Sequence, residues 1–223
     1  VLTFEPMPKM FFNKDLNNFR ISNQRQKINL LKQFDVDFVI IKKFDKNFSK
    51  TKSVNFIKNI LSSKMRAKFI FVSNNFRFGN KREGNVEQLK KFESLYNYKI
   101  IEPKPLSHSK KIISSSYIRK LLQNGKLDMT NKFLGRPWSI EGKVQKGRQL
   151  GKKIGFPTAN IDIKDYVMAK PGVYAVKVKK QNSFKFFKGI ANMGFRPTFN
   201  QKKLLLEVHL FNFSENLYNK YLT

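Results

Sequence analysis

The 223-residue sequence contains no cysteine and only two histidines, His108 and His209. The first absence excludes a disulfide framework, a zinc ribbon and a thiol nucleophile, and it fits a reducing compartment. The second excludes histidine-based metal clusters, so any metal must rest on oxygen ligands, which favours Mg²⁺ arriving with phosphates. No run approaches the roughly 18 apolar residues of a membrane-spanning helix, and the opening residues, Val1 to Pro6, read as a strand end rather than a signal peptide. A soluble, cytoplasmic chain without membrane attachment is expected. Acidic residues are scarce as well: 15 Asp and Glu face 45 Lys and Arg, a formal charge of +30. Only nine of those cations are arginine, and 22 asparagines accompany them. Lysine spread from Lys9 to Lys220 suits compositional drift onto solvated faces better than an arginine-rich nucleic-acid stripe. Attraction of phosphorylated small molecules adds to that drift. The rival that the charge alone suggests is a basic RNA- or ribosome-associated binding protein.

Apolar residues are plentiful enough for a core, at 40% with 23 phenylalanines, and the length suits two compact units. In the first half, strand-like and helix-like stretches take turns. Short apolar runs stand at residues 1–4, 38–41, 68–72 and 99–101, and helical spacing appears over 22–34, 53–61 and 86–96. The continuous run Phe38-Val39-Ile40-Ile41 is of the kind buried on both faces of a parallel sheet. This alternation predicts an α/β doubly wound sheet. After Gly135-Arg136-Pro137 the rhythm changes to consecutive strands over 138–144, 173–179, 184–191 and 204–213, the pattern of an antiparallel barrel or sandwich. The change places a boundary near residues 131–136. Both ends look cut, because the chain opens mid-strand without a Met and stops at Thr223 as a new element begins.

Four segments carry candidate chemistry. In 147–160, Gly147, Gly151 and Gly155 alternate with Arg148, Lys152 and Lys153, a loop able to bring backbone N–H groups and positive charge to phosphate oxygens. Pro157-Thr158-Ala159-Asn160 follows; Thr158 and Asn160 fall on one face of an extended segment and offer hard-oxygen ligands for the Mg²⁺ of ATP. An ordinary hairpin loop with basic decoration fits the same residues. In 204–213, alternation sets Leu204, Leu206, Val208 and Leu210 against Leu205, Glu207, His209 and Phe211, which makes Glu207 the one carboxylate of an apolar strand and a candidate general base. A solvent-facing Glu207, or one paired with a lysine, fits equally. Ser114 and Ser115 precede a helical pattern as N-cap candidates, and Arg119, placed in the first turn against the helix dipole, suggests triphosphate binding; a capped surface helix is the alternative. Finally, the polar loop 72–84, with Asn75, follows a strand at the end where α/β sheets form their ligand crevice.

In this order and spacing the segments resemble the bacterial bifunctional riboflavin kinase/FAD synthetase family. The resemblance covers nearly the whole chain: Thr3-Phe4-Glu5-Pro6, Phe76-x-Phe78-Gly79, Ile113-Ser114-Ser115-Ser116-x-x-Arg119, Leu134-Gly135-Arg136-Pro137, Gly155-Phe156-Pro157-Thr158-Ala159-Asn160, Gly172-Val173-Tyr174-Ala175-Val176, Asn192-Met193-Gly194-x-Arg196-Pro197-Thr198 and Glu207-Val208-His209-Leu210. It implies a Rossmann-like nucleotidyltransferase domain over 1–131, adenylylating FMN to FAD, and a small antiparallel Greek-key β-barrel over 132–223, phosphorylating riboflavin, both truncated. By the same resemblance, Thr158 and Asn160 hold Mg²⁺ with ATP, and the loop of Gly147, Arg148, Gly151 and Gly155, with Pro157, folds over the phosphates. Glu207 accepts the proton of the attacking hydroxyl, while Asn75, Ser114, Ser115 and Arg119 face the ATP of adenylyl transfer. The implied partners are ATP, riboflavin and FMN, with no nucleic acid or membrane. The family's H-x-G-H motif is not among these residues, and Met7 and Ser73 stand where it usually has His and Gly; these residues alone are expected not to make FAD.

Overall fold

The computed structural model describes residues 1–16, 19–146, 157–163, 165–197 and 202–223. The chain divides into two compact units, Val1–Lys14 with Phe38–Ile113, and Asp15–Asp37 with Ser114–Thr223.

In the first unit, strands β1 (Leu2–Glu5) and β2 (Ile40–Lys43) pair in parallel, as do β3 (Phe69–Phe71) and β4 (Lys99–Ile101). Ser107–His108 (β5) and Lys111–Ile112 (β6) form a hairpin. Its core gathers Phe56, Ile57, Leu61, Phe78, Leu89 and Tyr98, with Leu2, Phe4, Ile70 and Ile100 of the strands packed against it. Fully buried side chains such as Ile57 and Leu89 each contribute about 1.5–3 kcal/mol. Phe56 and Ile57 open a π-helix, Phe56–Lys64, that continues the turn Ser53–Asn55. The expected helix over 86–96 is two helices, Val86–Lys91 and Glu93–Tyr96, broken at Phe92.

One expectation for this unit needs correction. The run 38–41 was expected to be buried on both faces, yet β2 begins at Ile40 and is exposed throughout, with Phe38 79% exposed. Among the described residues β2 has a single strand neighbour, β1, and burial requires layers that a hydrophobic run cannot itself provide. Similarly, Ile70 of β3 faces the core while Phe69 and Phe71 point outward.

The second unit holds three helices, Gln24–Lys32, Ser115–Gln123 and Leu127–Leu134, and an antiparallel sheet of six strands. These are β7 (Gly142–Gln145), β8 (Thr158–Asp162), β9 (Gly172–Lys179), β10 (Phe186–Pro197), β11 (Lys202–Leu210) and β12 (Tyr221–Leu222). Their order is β12-β7-β8-β11-β10-β9. The outermost strands also meet. Lys179 and Thr223 exchange backbone hydrogen bonds of 2.9 and 3.0 Å, and Gln181 N–H donates to the Tyr221 carbonyl at 3.0 Å. One face of the sheet is apolar, from Val144 and Ile161 through Leu206 to Met193, all buried. The strand expected over 138–144 starts only at Gly142, because Trp138 instead donates its indole N–H to the Ile21 carbonyl at 2.9 Å. No helix among the described residues is long and apolar enough to cross a membrane.

Candidate active site

The apolar alternation of β11 is realised: Leu206, Val208 and Leu210 are buried, and Glu207 and His209 lie half-buried on the opposite face. Register then decides their neighbours, because residues directly opposite in antiparallel strands share a face. Glu207 stands opposite Asn160 of β8 on one side and Asn192 of β10 on the other. His209 stands opposite Thr158 and Ile190. Gln145 of β7 extends the row beyond Asn160. Thr158 and Asn160 from one segment and Glu207 from another thus come together on one face of two paired strands.

The row is polar. His209 Nδ1 lies 2.9 Å from the Pro157 carbonyl, which can only accept, so Nδ1 carries the hydrogen and the ring is pinned beside Thr158. Asn160 is 8% exposed, whereas Glu207 keeps part of its surface in solvent. Beside Thr158 opens a pocket of about 330 Å³, lined by Val144, Pro157, Ala159, Val208, Leu210 and the segment from Phe213 to Tyr218. Gly147, Arg148, Gly151 and Gly155 lie outside the described residues.

The remaining candidates fall elsewhere. Asn75 is exposed in the first unit, and its Oδ1 accepts from Ser73 Oγ at 2.8 Å. In the neighbouring motif, Phe78 is buried against Phe56 at 5.4 Å, and Gly79, at φ 75°, passes so close to Ser53 that a Cβ would lie 2.8 Å from its backbone. These two residues therefore build the core under the loop. In the second unit, Ser114 caps the helix, its Oγ accepting from Tyr117 N–H at 3.2 Å, and Ser115 is the first helical residue. Arg119 was expected in the first turn, but it is the fifth helical residue. Its presence has a structural reason: Nε donates to the Phe19 carbonyl at 2.8 Å, and the guanidinium stacks 3.6 Å over the Phe19 ring. Burial lowers its pKa from the ordinary arginine value.

Sequence reasoning missed Asn192 and Gln145, the outer members of the row. The alternation of Asn192 with buried Ala191 and Met193 carries the signal, but it becomes legible only when β10 is extended past Ala191.

Residues 134–223 match the family model described as riboflavin kinase, and residues 1–117 match that of FAD synthetase. The bifunctional riboflavin kinase/FMN adenylyltransferase of Buchnera aphidicola subsp. Schizaphis graminum is 42% identical over 223 residues, spanning 99% of this chain and 71% of that protein. This chain belongs to the bifunctional riboflavin kinase/FMN adenylyltransferase family. Relatives of the same description are 39% identical in Haemophilus influenzae, over 99% of this chain and 71% of theirs, and 36% identical in Escherichia coli strain K12, over 100% and 71%. A solved structure described as a macrolide-efflux protein from Streptococcus pneumoniae superposes with a TM-score of 0.80 at 27% identity, covering 100% of this chain and 72% of that one. These matches lend the nucleic-acid reading of the +30 charge no support.

Proposed function

We propose that this chain acts in flavin cofactor biosynthesis and that its six-stranded unit phosphorylates riboflavin with ATP at the row formed by Thr158, Asn160 and Glu207. The register of β8 against β11 carries the proposal, since it sets Asn160 directly across from Glu207, with Thr158 further along the same face opposite His209. In the reaction, a Glu207 oxygen takes the proton from the ribityl 5′-hydroxyl as that oxygen attacks the γ-phosphorus, and ADP leaves with the electron pair of the broken bond. Thr158 Oγ and the Asn160 carbonyl oxygen are hard, uncharged ligands two residues apart. Among the described residues no cluster of three or more His, Cys, Asp or Glu is present to hold a metal alone. The donor set therefore fits a Mg²⁺ ion that brings phosphate oxygens with it. Such an ion, when bound, neutralises charge on the transferring phosphoryl group. Gly147, Arg148, Gly151, Gly155 and Pro157 complete the nucleotide site in this proposal.

The finer architecture is part of the proposal: a Rossmann-like nucleotidyltransferase domain over 1–131 and a Greek-key β-barrel over 132–223. The bonds between Lys179 and Thr223 support closure of the barrel. Asn75, Ser114, Ser115 and Arg119 face ATP during transfer of its adenylyl group to FMN, with release of pyrophosphate. The test is chromatographic. The 223-residue chain is incubated with riboflavin, ATP and Mg²⁺, and FMN formation is measured. Formation that requires both ATP and Mg²⁺ is the expected result, and absence of FMN together with absence of nucleotide binding overturns the proposal.

A further inference from the structure

The segment Asp15–Asp37 lies between β1 and β2, strands that pair with each other in the first unit, yet it packs within the second. Its attachment centres on one buried knot. Asn23 caps the helix Gln24–Lys32, with Oδ1 accepting from Gln26 N–H at 2.7 Å, and its Nδ2 donates to the Glu141 carbonyl at 3.2 Å. Gln26, 7% exposed, donates to the Ser139 carbonyl at 3.1 Å and accepts from the Tyr166 hydroxyl at 2.7 Å. The same hydroxyl accepts the Glu141 N–H at 2.9 Å, and Arg25 Nε lies 2.7 Å from the nearly buried Glu141 carboxylate. Backbone bonds from Arg20 to Asp165 and from Val167 to Arg20 close the knot.

Both strands of the nucleotide side leave this knot. Glu141 immediately precedes β7, and Tyr166 follows the end of β8 by four residues. Among the described residues, β7 and β8 themselves pair at two positions, Val144 with Ile161 and Gln145 with Asn160. So short a ladder leaves the relative placement of the strands to whatever ties their shared end. We propose that Tyr166 and Gln26 are positioning residues for the kinase site, fixing the shared end of β7 and β8 so that Thr158 and Asn160 keep their places beside Gln145. The stretch matched to riboflavin kinase, 134–223, contains neither Asn23 nor Gln26; a kinase module cut there would lose the partners of Tyr166 and Glu141. What is positioned rests on the function proposed above, whereas the hold on β8 does not.

Tyr166→Phe and Gln26→Ala in the full chain test this, with Ser22→Ala as comparison. Ser22 anchors the same segment, its Oγ accepting from Arg136 at 3.1 Å, without touching the knot. Amide hydrogen exchange over residues 158–162 is followed at a temperature where circular dichroism shows all variants folded, together with Mg²⁺-ADP affinity. Loss of the buried hydrogen bond that the two side chains share, together with the others each makes, should speed exchange in β8 and weaken Mg²⁺-ADP binding about tenfold in Tyr166→Phe and Gln26→Ala. Ser22→Ala should match wild type in both. Gln26→Ala keeps the test open should Tyr166→Phe fail to fold. Wild-type exchange over 158–162 in a folded variant, even one of lower Tm, would reduce the knot to a stabilising contact and overturn the proposal. If wild type binds no Mg²⁺-ADP, the nucleotide reading fails, and the exchange data still decide whether the knot holds β8.

Discussion

Glu207 stands directly across the β8–β11 ladder from Asn160, with both side chains on the same face. A carboxylate and an amide oxygen are therefore about one strand spacing apart. Glu207→Ala is expected to lower kcat for riboflavin phosphorylation by roughly 100-fold or more while Mg²⁺-ADP binding persists. Steady-state kinetics with calorimetric titration checks this; an unchanged kcat removes Glu207 from proton transfer.

Thr158→Val keeps the volume and β-branching of a strand residue and deletes only the hydroxyl oxygen. Half-saturation by Mg²⁺ should rise about tenfold or more, with riboflavin KM unchanged. Equal shifts in both constants would point to a distorted strand in place of a lost ligand.

Gly79 has φ 75° and ψ 177°, a region essentially reserved for glycine, and a Cβ added there would lie 2.8 Å from the Ser53 backbone. In Gly79→Ala, strain of about 1–3 kcal/mol adds to the displacement of Ser53, whose N–H donates to Glu83 Oε1 at 2.6 Å. A lowered Tm in calorimetry is the expected result; a melt identical to wild type would show that the loop relaxes freely.

Burial, helped by Glu93, pushes the Tyr98 hydroxyl up to about 12 from 10.0, while it donates to the Leu89 carbonyl at 2.7 Å. Between pH 10 and 12 the unfolded chain gives up this proton and the folded chain keeps it. Stability from this group is therefore present below pH 10 and lost as pH rises through that window. Urea midpoints measured from pH 9 to 11.5 should fall less steeply in Tyr98→Phe than in wild type. Parallel slopes would contradict the burial of the hydroxyl.

The parts legible in the sequence were those governed by local period and chemistry. The alternation of β11 announced both the buried Leu206 and the outward Glu207, and Ser114 announced a cap. The placement of Asp15–Asp37 was not legible, because it depends on polar pairs such as Tyr166 and Gln26, 140 residues apart, which leave no periodic trace. Exposure of β2 was hidden for a related reason: Ile40 and Ile41 state a preference for burial, and only the neighbouring layers decide whether it is met. The stacking of Arg119 on Phe19 was illegible for the same reason, since the two residues are remote in the sequence.

The meeting of Thr223 with Lys179 sets an order of events during synthesis. β12 pairs with β7 and fastens to the end of β9, so two partners made earlier wait for β12 to emerge. Until then β7 presents an open edge with unpaired backbone groups, the kind of surface that recruits other chains. Closing such a distant pair also requires a large loop-closure entropy before any contact repays it. The nascent chain's high positive charge, by keeping neighbouring copies apart, protects it through that interval.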